Sequence, residues 1–361
     1  MHKFSIFIFF LLLQSACAHK DKLVIEKKEY TDLKNWNNDN HEQVLDLYLQ
    51  SCNKFQKKDW QNFLLNTNIS AEGFTKSDLK CDIARDYKNK KGRAKEFFEQ
   101  YFSPFLVKNN QKESGLFTGY YELELKGSLT KHGKFIYPIY AKPDDLKPKQ
   151  KYYSRKEIEA GKLAGRGLEI AYTDDLVRLF FLHVQGSGAV RLEDGSLLQI
   201  TYDGQNGHKY YPIGRYLRHV EKIDKGKLNA EFMINYLSKY EFKAKQILDY
   251  NNSYVFFKIN SKKSPIGAAG IDLTEERSLA IDRKFIPLGS LLWLETNYPD
   301  SNYSKFNKLM IAQDTGGAIK GPIRGDIYFG HGQRAEQYAY HMQNKGRYYM
   351  LLPAGLIDKK D

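Results

Sequence analysis

From Phe117 onward the chain breaks into short runs of aromatic and β-branched residues, each closed by a turn rich in Gly or Asp. FTGYYELEL (Phe117–Leu125), FIYPIY (Phe135–Tyr140), LFFLHV (Leu179–Val184), GAVRL (Gly188–Leu192) and LLQITY (Leu197–Tyr202) read as strands. So do SYVFFK (Ser253–Lys258), LLWLE (Leu291–Glu295), LMIA (Leu309–Ala312) and RYYMLL (Arg347–Leu352). Runs this short must pair their backbone groups with one another. They do not alternate regularly with helices, which points to barrels and argues against a doubly wound parallel sheet. Ser154–Glu157 is a capping box before a short helix, Glu221–Tyr250 has helical composition, and Gln333–Met342 reads as one more helix.

The N-terminal third differs. From about residue 41 to 107 the pattern is helical, as in HEQVLDLYL (His41–Leu49) and RAKEFFEQYF (Arg93–Phe102), which ends at Ser103-Pro104. Residues 18–40 are polar and Asn-rich, with little periodicity, and read as a tether. Ahead of them a basic start, an apolar run over Ile6–Leu13 and small residues before Cys17 read as a secretory signal, since the run is too short to span a bilayer. Leu13–Cys17 resembles a bacterial lipoprotein signal, with Cys17 as the lipidated first mature residue; the alternative is ordinary cleavage nearby. Cys52 and Cys81 then remain, either as one disulfide in an oxidising compartment or as two buried thiols. The formal charge is +13. Export argues against nucleic acid as the partner. It leaves an anionic envelope polymer, or simply solvated surface lysines. Aromatics make up 14% of the chain, which suits both β structure and stacking on sugar rings.

Three carboxylates sit where a carboxylate is unfavourable unless it is paired or used. Asp314 and Asp326 share the Gly-rich stretch AQDTGGAIKGPIRGDIYFG (Ala312–Gly330), and Asp282 lies in AIDRKFIPLG (Ala280–Gly289). Each has a bland reading. Asp326 could cap a turn, Asp314 before Thr315-Gly-Gly could form an Asx-turn, and Asp282 could pair with Arg283. Lys320 could neutralise a neighbour or be solvated. His183, His208 and His331 lack metal-ligand spacing, and no metal is expected.

These motifs resemble a known family. The segment from Asp282 through Asp326 is similar to the three-aspartate double-psi β-barrel domain of bacterial cell-wall lytic enzymes. FTGYYE (Phe117–Glu122), YPIY (Tyr137–Tyr140), GKLAGRGL (Gly161–Leu168), HVQGSG (His183–Gly188), QNGH (Gln205–His208), PIGR (Pro212–Arg215), SYVFF (Ser253–Phe257), PIGA (Pro265–Ala268) and DTGGAIKG (Asp314–Gly321) resemble, in order, the membrane-bound lytic murein transglycosylase A family. The resemblance covers about residues 110–353. It implies a mainly β fold with a helical N-terminal part. A double-psi barrel domain (41–121 and 257–361) would carry a smaller inserted β-barrel domain (122–256), with a deep groove between them. Residues 1–16 would be the signal peptide and 17–40 the tether.

The resemblance also implies a reaction: non-hydrolytic cleavage of the β-1,4 bond between N-acetylmuramic acid and N-acetylglucosamine, leaving 1,6-anhydromuramoyl ends, with no cofactor. Asp326 maps onto the catalytic acid, with Asp314, Asp282 and Lys320 in support. Thr118, Tyr120, Tyr121, Gln185, Ser187 and Asn206 are candidates for meeting sugar hydroxyls and ring faces. The expected setting is a monomeric lipoprotein of the outer membrane, facing the periplasm. Its partners would be peptidoglycan glycan strands, the membrane through Cys17, and cell-wall synthesis or division proteins. Two rivals stand beside this reading: a hydrolytic muramidase using a second carboxylate, and a non-catalytic peptidoglycan-binding lipoprotein.

Overall fold

The computed structural model describes residues 21–356 except 53, 55, 68, 70–73, 148–149 and 262–263. The signal and Cys17 lie outside the described residues. The strands, in chain order, are β1 (Leu23–Lys27), β2 (Phe102–Asn109), β3 (Gly115–Glu122), β4 (Glu124–Ser128), β5 (Tyr137–Tyr140), β6 (Glu169–Thr173) and β7 (Ser187–Leu192). They continue with β8 (Leu197–Gln205), β9 (Val255–Ile259), β10 (Ser278–Ile281), β11 (Leu291–Asn297), β12 (Lys305–Thr315), β13 (Arg324–His331) and β14 (Gln343–Pro353). The helices are α1 (His41–Cys52), α2 (Lys57–Leu65), α3 (Cys81–Lys88), α4 (Ala94–Tyr101), α5 (Arg155–Glu157), α6 (Leu176–Gln185), α7 (Ile213–His219), α8 (Ala230–Lys239), α9 (Glu241–Leu248) and α10 (Gly332–His341).

Two sheets carry the fold. In the first the order is β1-β2-β14-β11-β12-β10-β13-β3, and β3 also pairs with β14, which closes a barrel. Two of its pairings, β10–β12 and β13–β3, are parallel. The second sheet, β5-β6-β4-β7-β8-β9, is built from residues between the ends of β3 and β9, and a bridge from Ala141 to Phe257 joins its edges. Each sheet has its own apolar core. The first centres on Phe117, Leu279, Trp293, Ile327 and Tyr348, the second on Leu125, Ile139, Phe180, Leu182 and Phe257. The mainly β class and the pair of β domains agree with the sequence reading.

Three local readings are corrected. Leu179–Val184 is not a strand but the centre of α6. Asp175 caps the helix by accepting from the Arg178 N–H at 2.8 Å, and Gly186 closes it in the left-handed region. The apolar residues there surround a helix buried on most sides, so they carry no clear period. Helical structure stops at Tyr101, and Phe102–Asn109 is β2, in which Pro104 faces Leu351. The expected tether is built into the fold from Leu23. β1 pairs with β2, Trp36 packs edge-on against Trp293 at 5.1 Å, and Asp39 takes both guanidinium nitrogens of buried Arg277 at 2.8 Å.

Cys52 and Cys81 are joined in a disulfide that ties the end of α1 to the start of α3 across 29 residues. Closing a loop of that length contributes about 3–4 kcal/mol in the chain-entropy account. Replacing both cysteines with serine is therefore expected to lower the unfolding free energy by about 2–4 kcal/mol in urea. An unchanged midpoint would show that the bond adds nothing to the helical part.

Candidate active site

β13 alternates between faces over Arg324–Tyr328, before its register with β3 shifts. Gly325, Ile327 and Phe329 turn toward Phe117 and Leu279 in the core, and a Cβ on Gly325 would meet both side chains. Arg324, Asp326 and Tyr328 therefore turn to the other face. The parallel register sets Thr118 beside Asp326 and Tyr120 beside Tyr328. On the other side of β13, Ala280 of β10 pairs with both Asp326 and Asp314. The two aspartates are thus two strands apart, about 10 Å between backbones, with only a methyl group between them. Gly119 has no alternative residue here, because a Cβ would lie 2.5 Å from the Phe329 ring.

The electrostatics separate the carboxylates. Asp314 Oδ1 accepts from the Ala268 and Thr315 N–H groups at 3.0 and 2.9 Å, and its Oδ2 accepts from the Tyr120 hydroxyl at 3.0 Å. Burial, then the Asp314 charge, raises the Tyr120 phenol well above its ordinary value, so it stays a donor. The Asp326 side chain is 23% exposed. Burial raises its pKa above the usual carboxylate value; the Arg324 guanidinium opposes this and the Asp314 charge adds to it. Arg324 Nη1 lies 3.5 Å from Asp326 Oδ1, while its Nη2 donates to Thr118 Oγ1 at 2.7 Å.

Asp282 has a different place. Its Oδ1 accepts from the Lys284 N–H and its Oδ2 from the Gly321 N–H at 2.9 Å, where Gly321 has φ +105°. It is 8% exposed and ties two turns together. The expected pair with Arg283 is absent, because Arg283 reaches Asp59 at 2.7 Å. Lys320 is exposed on the neighbouring turn and forms no ion pair among the described residues.

The other expected contact residues divide as well. Tyr121 belongs to the junction between the domains. Its hydroxyl donates to Glu336 at 3.0 Å and meets Tyr340, while Arg178 of α6 grips Glu336 with both nitrogens. Asn206 is fully buried. Its Nδ2 donates to the Tyr153 and Asn252 carbonyls, and its Oδ1 accepts from the Tyr254 N–H. Its amide is committed to these loops. Gln185 and Ser187 flank Gly186 on the inserted domain, with no hydrogen bond to the Asp326 group among the described residues.

Sequence reasoning missed Arg324, although it sits two residues before Asp326 and so shares its face at strand period. It also missed Glu122, which continues the Thr118–Tyr120 row into the domain junction. Gln199 of the inserted domain donates to Glu122 at 3.1 Å, and burial pushes this carboxyl up to about 7.

Fold and site together define a two-domain β protein whose barrel presents one half-buried acid beside an arginine and a second, fully hydrogen-bonded aspartate. Comparison with known proteins agrees. Residues 116–258 match the model of the MltA specific insert domain, and residues 277–352 match that of the 3D domain. Membrane-bound lytic murein transglycosylase A of Escherichia coli (strain K12) is 38% identical over 251 residues, 66% of this chain and 66% of that protein, so the match stops just short of two thirds of the relative's length. Among solved structures, MltA from Neisseria gonorrhoeae aligns with a TM-score of 0.72 at 28% identity, covering 93% of this chain and 94% of that one. E. coli MltA with bound chitohexaose aligns with a TM-score of 0.56 at 30% identity, covering 77% and 83%. The chain belongs to the membrane-bound lytic murein transglycosylase A family.

A carboxyl with a raised pKa in the fold destabilises it when ionised. Its favourable contribution is complete below the unfolded pKa and is lost as pH rises through the folded one. Asp326→Asn is therefore expected to melt higher than the wild type at neutral pH, with the gap closing below about pH 4. A lower melting temperature across the whole range would contradict the burial of this acid.

Proposed function

We propose that the protein is a peptidoglycan lytic transglycosylase in which Asp326 acts alone, first as acid and then as base. The observation that carries this reading is the asymmetry of the two carboxylates. Burial raises the pKa of Asp326 above the usual carboxylate value, while Asp314 already accepts three hydrogen bonds. A hydrolase of the usual kind needs a second free carboxylate as base or nucleophile. Asp314 is poorly suited to that role and well suited to holding its charge near Asp326 and orienting Tyr120.

In the proposed reaction the protonated Asp326 gives its proton to the glycosidic oxygen between N-acetylmuramic acid and N-acetylglucosamine. The C1–O bond breaks with oxocarbenium character. The C6 hydroxyl of the same muramoyl unit attacks C1, and the Asp326 carboxylate takes the hydroxyl proton, which restores the acid. The product is a 1,6-anhydromuramoyl end. An intramolecular nucleophile needs no activated water, because its effective concentration is already high. Arg324 faces the carboxylate while it is charged, and Thr118 holds Arg324 in place. The chitohexaose in the E. coli relative is an amino-sugar chain with β-1,4 links, and supports a glycan strand as substrate.

Membrane attachment is part of the same reading. The relatives are named membrane-bound, and no helix among the described residues is long and apolar enough to cross a bilayer. Acylation of Cys17 would supply the anchor, and the outer membrane is the proposed site.

Asp326→Asn is expected to lower the release of soluble muropeptides from purified sacculi by about 10²–10⁴ while sacculus binding persists. Unchanged release would remove Asp326 from the role of acid. Binding without any release by the wild type would favour a binding protein. Because the acid form is the active one, the rate should fall as pH rises through the pKa of Asp326. Arg324→Gln removes the charge that lowers this pKa and is expected to move the alkaline limb to higher pH. A limb that stays in place would show that Arg324 does not act on the acid.

A further inference from the structure

The N-terminal strand enters the barrel at the end that carries the aspartates. Asp21 Oδ1 accepts from Asn109 Nδ2 at 2.7 Å, the Lys22 N–H donates to Asn109 Oδ1, and the Lys22 carbonyl accepts from the Asn110 N–H at 2.8 Å. The chain is therefore fixed from Asp21 onward. Asp21 also lies against the turn that leads into β13, since a Cβ on Gly321 would sit 3.6 Å from its Oδ2. Gly321 in turn donates to Asp282. Gly115, the first residue of β3, is pressed onto the Ile323 carbonyl at the same end.

We propose that this end of the barrel faces the membrane, so that the lipid anchor holds the Asp326 site close to an anionic phospholipid surface and turns the inserted domain away from it. The inference rests on the acylation of Cys17 proposed above and adds a geometry to it. Four residues separate Cys17 from Asp21, a reach of at most about 14 Å. Five residues separate Gly321 from Asp326, at most about 18 Å. With the contact between Asp21 and Gly321 and the lengths of the side chains, the carboxyl cannot lie more than about 45 Å from the acylated residue. β3 gives the direction. It runs from Gly115 at the membrane end, past Thr118 beside Asp326, to Glu122, where the inserted domain begins. That domain therefore starts about 23 Å further along the strand. Lys22 and Lys320 adjoin Asp21 and Gly321 in the chain, the Lys284 backbone shares Asp282 with Gly321, and all three lysines are exposed, so their charge suits anionic headgroups. The protein would then cut strands running within a few tens of ångströms of the membrane that holds it.

The test uses the full acylated protein in vesicles of phosphatidylethanolamine and phosphatidylglycerol. With Cys52 and Cys81 bonded, a single added cysteine is the labelling site. A donor dye is placed at Lys320→Cys or, on the inserted domain, at Lys227→Cys, with an acceptor lipid in the bilayer. Strong energy transfer from position 320 and weak transfer from 227 is expected, and inserting about 30 Gly/Ser residues after Ala18 should reduce transfer from 320. Equal transfer from both positions, or stronger transfer from 227, overturns the proposed orientation. Transfer unaffected by the insertion overturns the short link as its cause, and would point to the lysine surface alone. The mass of the N-terminal peptide separates the two levels: an unmodified Cys17 overturns the anchor itself and the orientation with it.

Discussion

The parallel pairing of β13 with β3 is the contact on which the rest of the molecule depends. It sets Thr118 against Asp326 and Tyr120 against Tyr328, and it carries the chain directly from the site into the inserted domain. Moving the register by one residue would turn Asp326 into the core and Ile327 out of it. The register is held from inside. Phe117, Leu279 and Ile327 fill the barrel, Gly119 leaves room where a side chain would collide with the Phe329 ring, and Gly325 packs tightly under Leu279 and Phe117. The chemistry of the outer face is thus fixed by packing on the inner one.

The electrostatics follow from that placement. Burial raises Asp326 and the Asp314 charge adds to it, while Arg324 limits the rise. An acid held this way keeps its proton to higher pH than an ordinary carboxyl, and its conjugate base has a cation beside it. Asp314 and Asp282 are carboxylates of another kind, saturated by backbone N–H groups and a phenol, and they hold turns in position. The two domains meet through polar groups: Arg178 with Glu336, which also accepts from Tyr121, and Gln199 with Glu122. A polar junction of this kind positions the inserted domain without merging the two cores.

Much of this was legible in the sequence because it was local. The Gly-Asp-Ile-Tyr order at Gly325–Tyr328 places a carboxyl on a strand face, and the short strands with Gly turns point to barrels. What escaped reading depended on partners far along the chain. LVIEK (Leu23–Lys27) looks like part of a charged tether until β2 is there to pair with it. Arg324 gains a role only when the register with Thr118 is known. Asn206 has the residue type of a sugar contact, but its amide ties together two loops distant in sequence, at Tyr153 and at Asn252–Tyr254. Leu179–Val184 is apolar on nearly every side, so its length and caps decide for a helix where period cannot.

The central claim is that one acid suffices because the substrate supplies the nucleophile. The most direct measurement is the mass of the muropeptides released from sacculi by the purified protein. The account predicts ends lighter by one water than reducing ends, from the first turnovers onward. Reducing ends alone would mean that water is the nucleophile and that a second group in this site activates it.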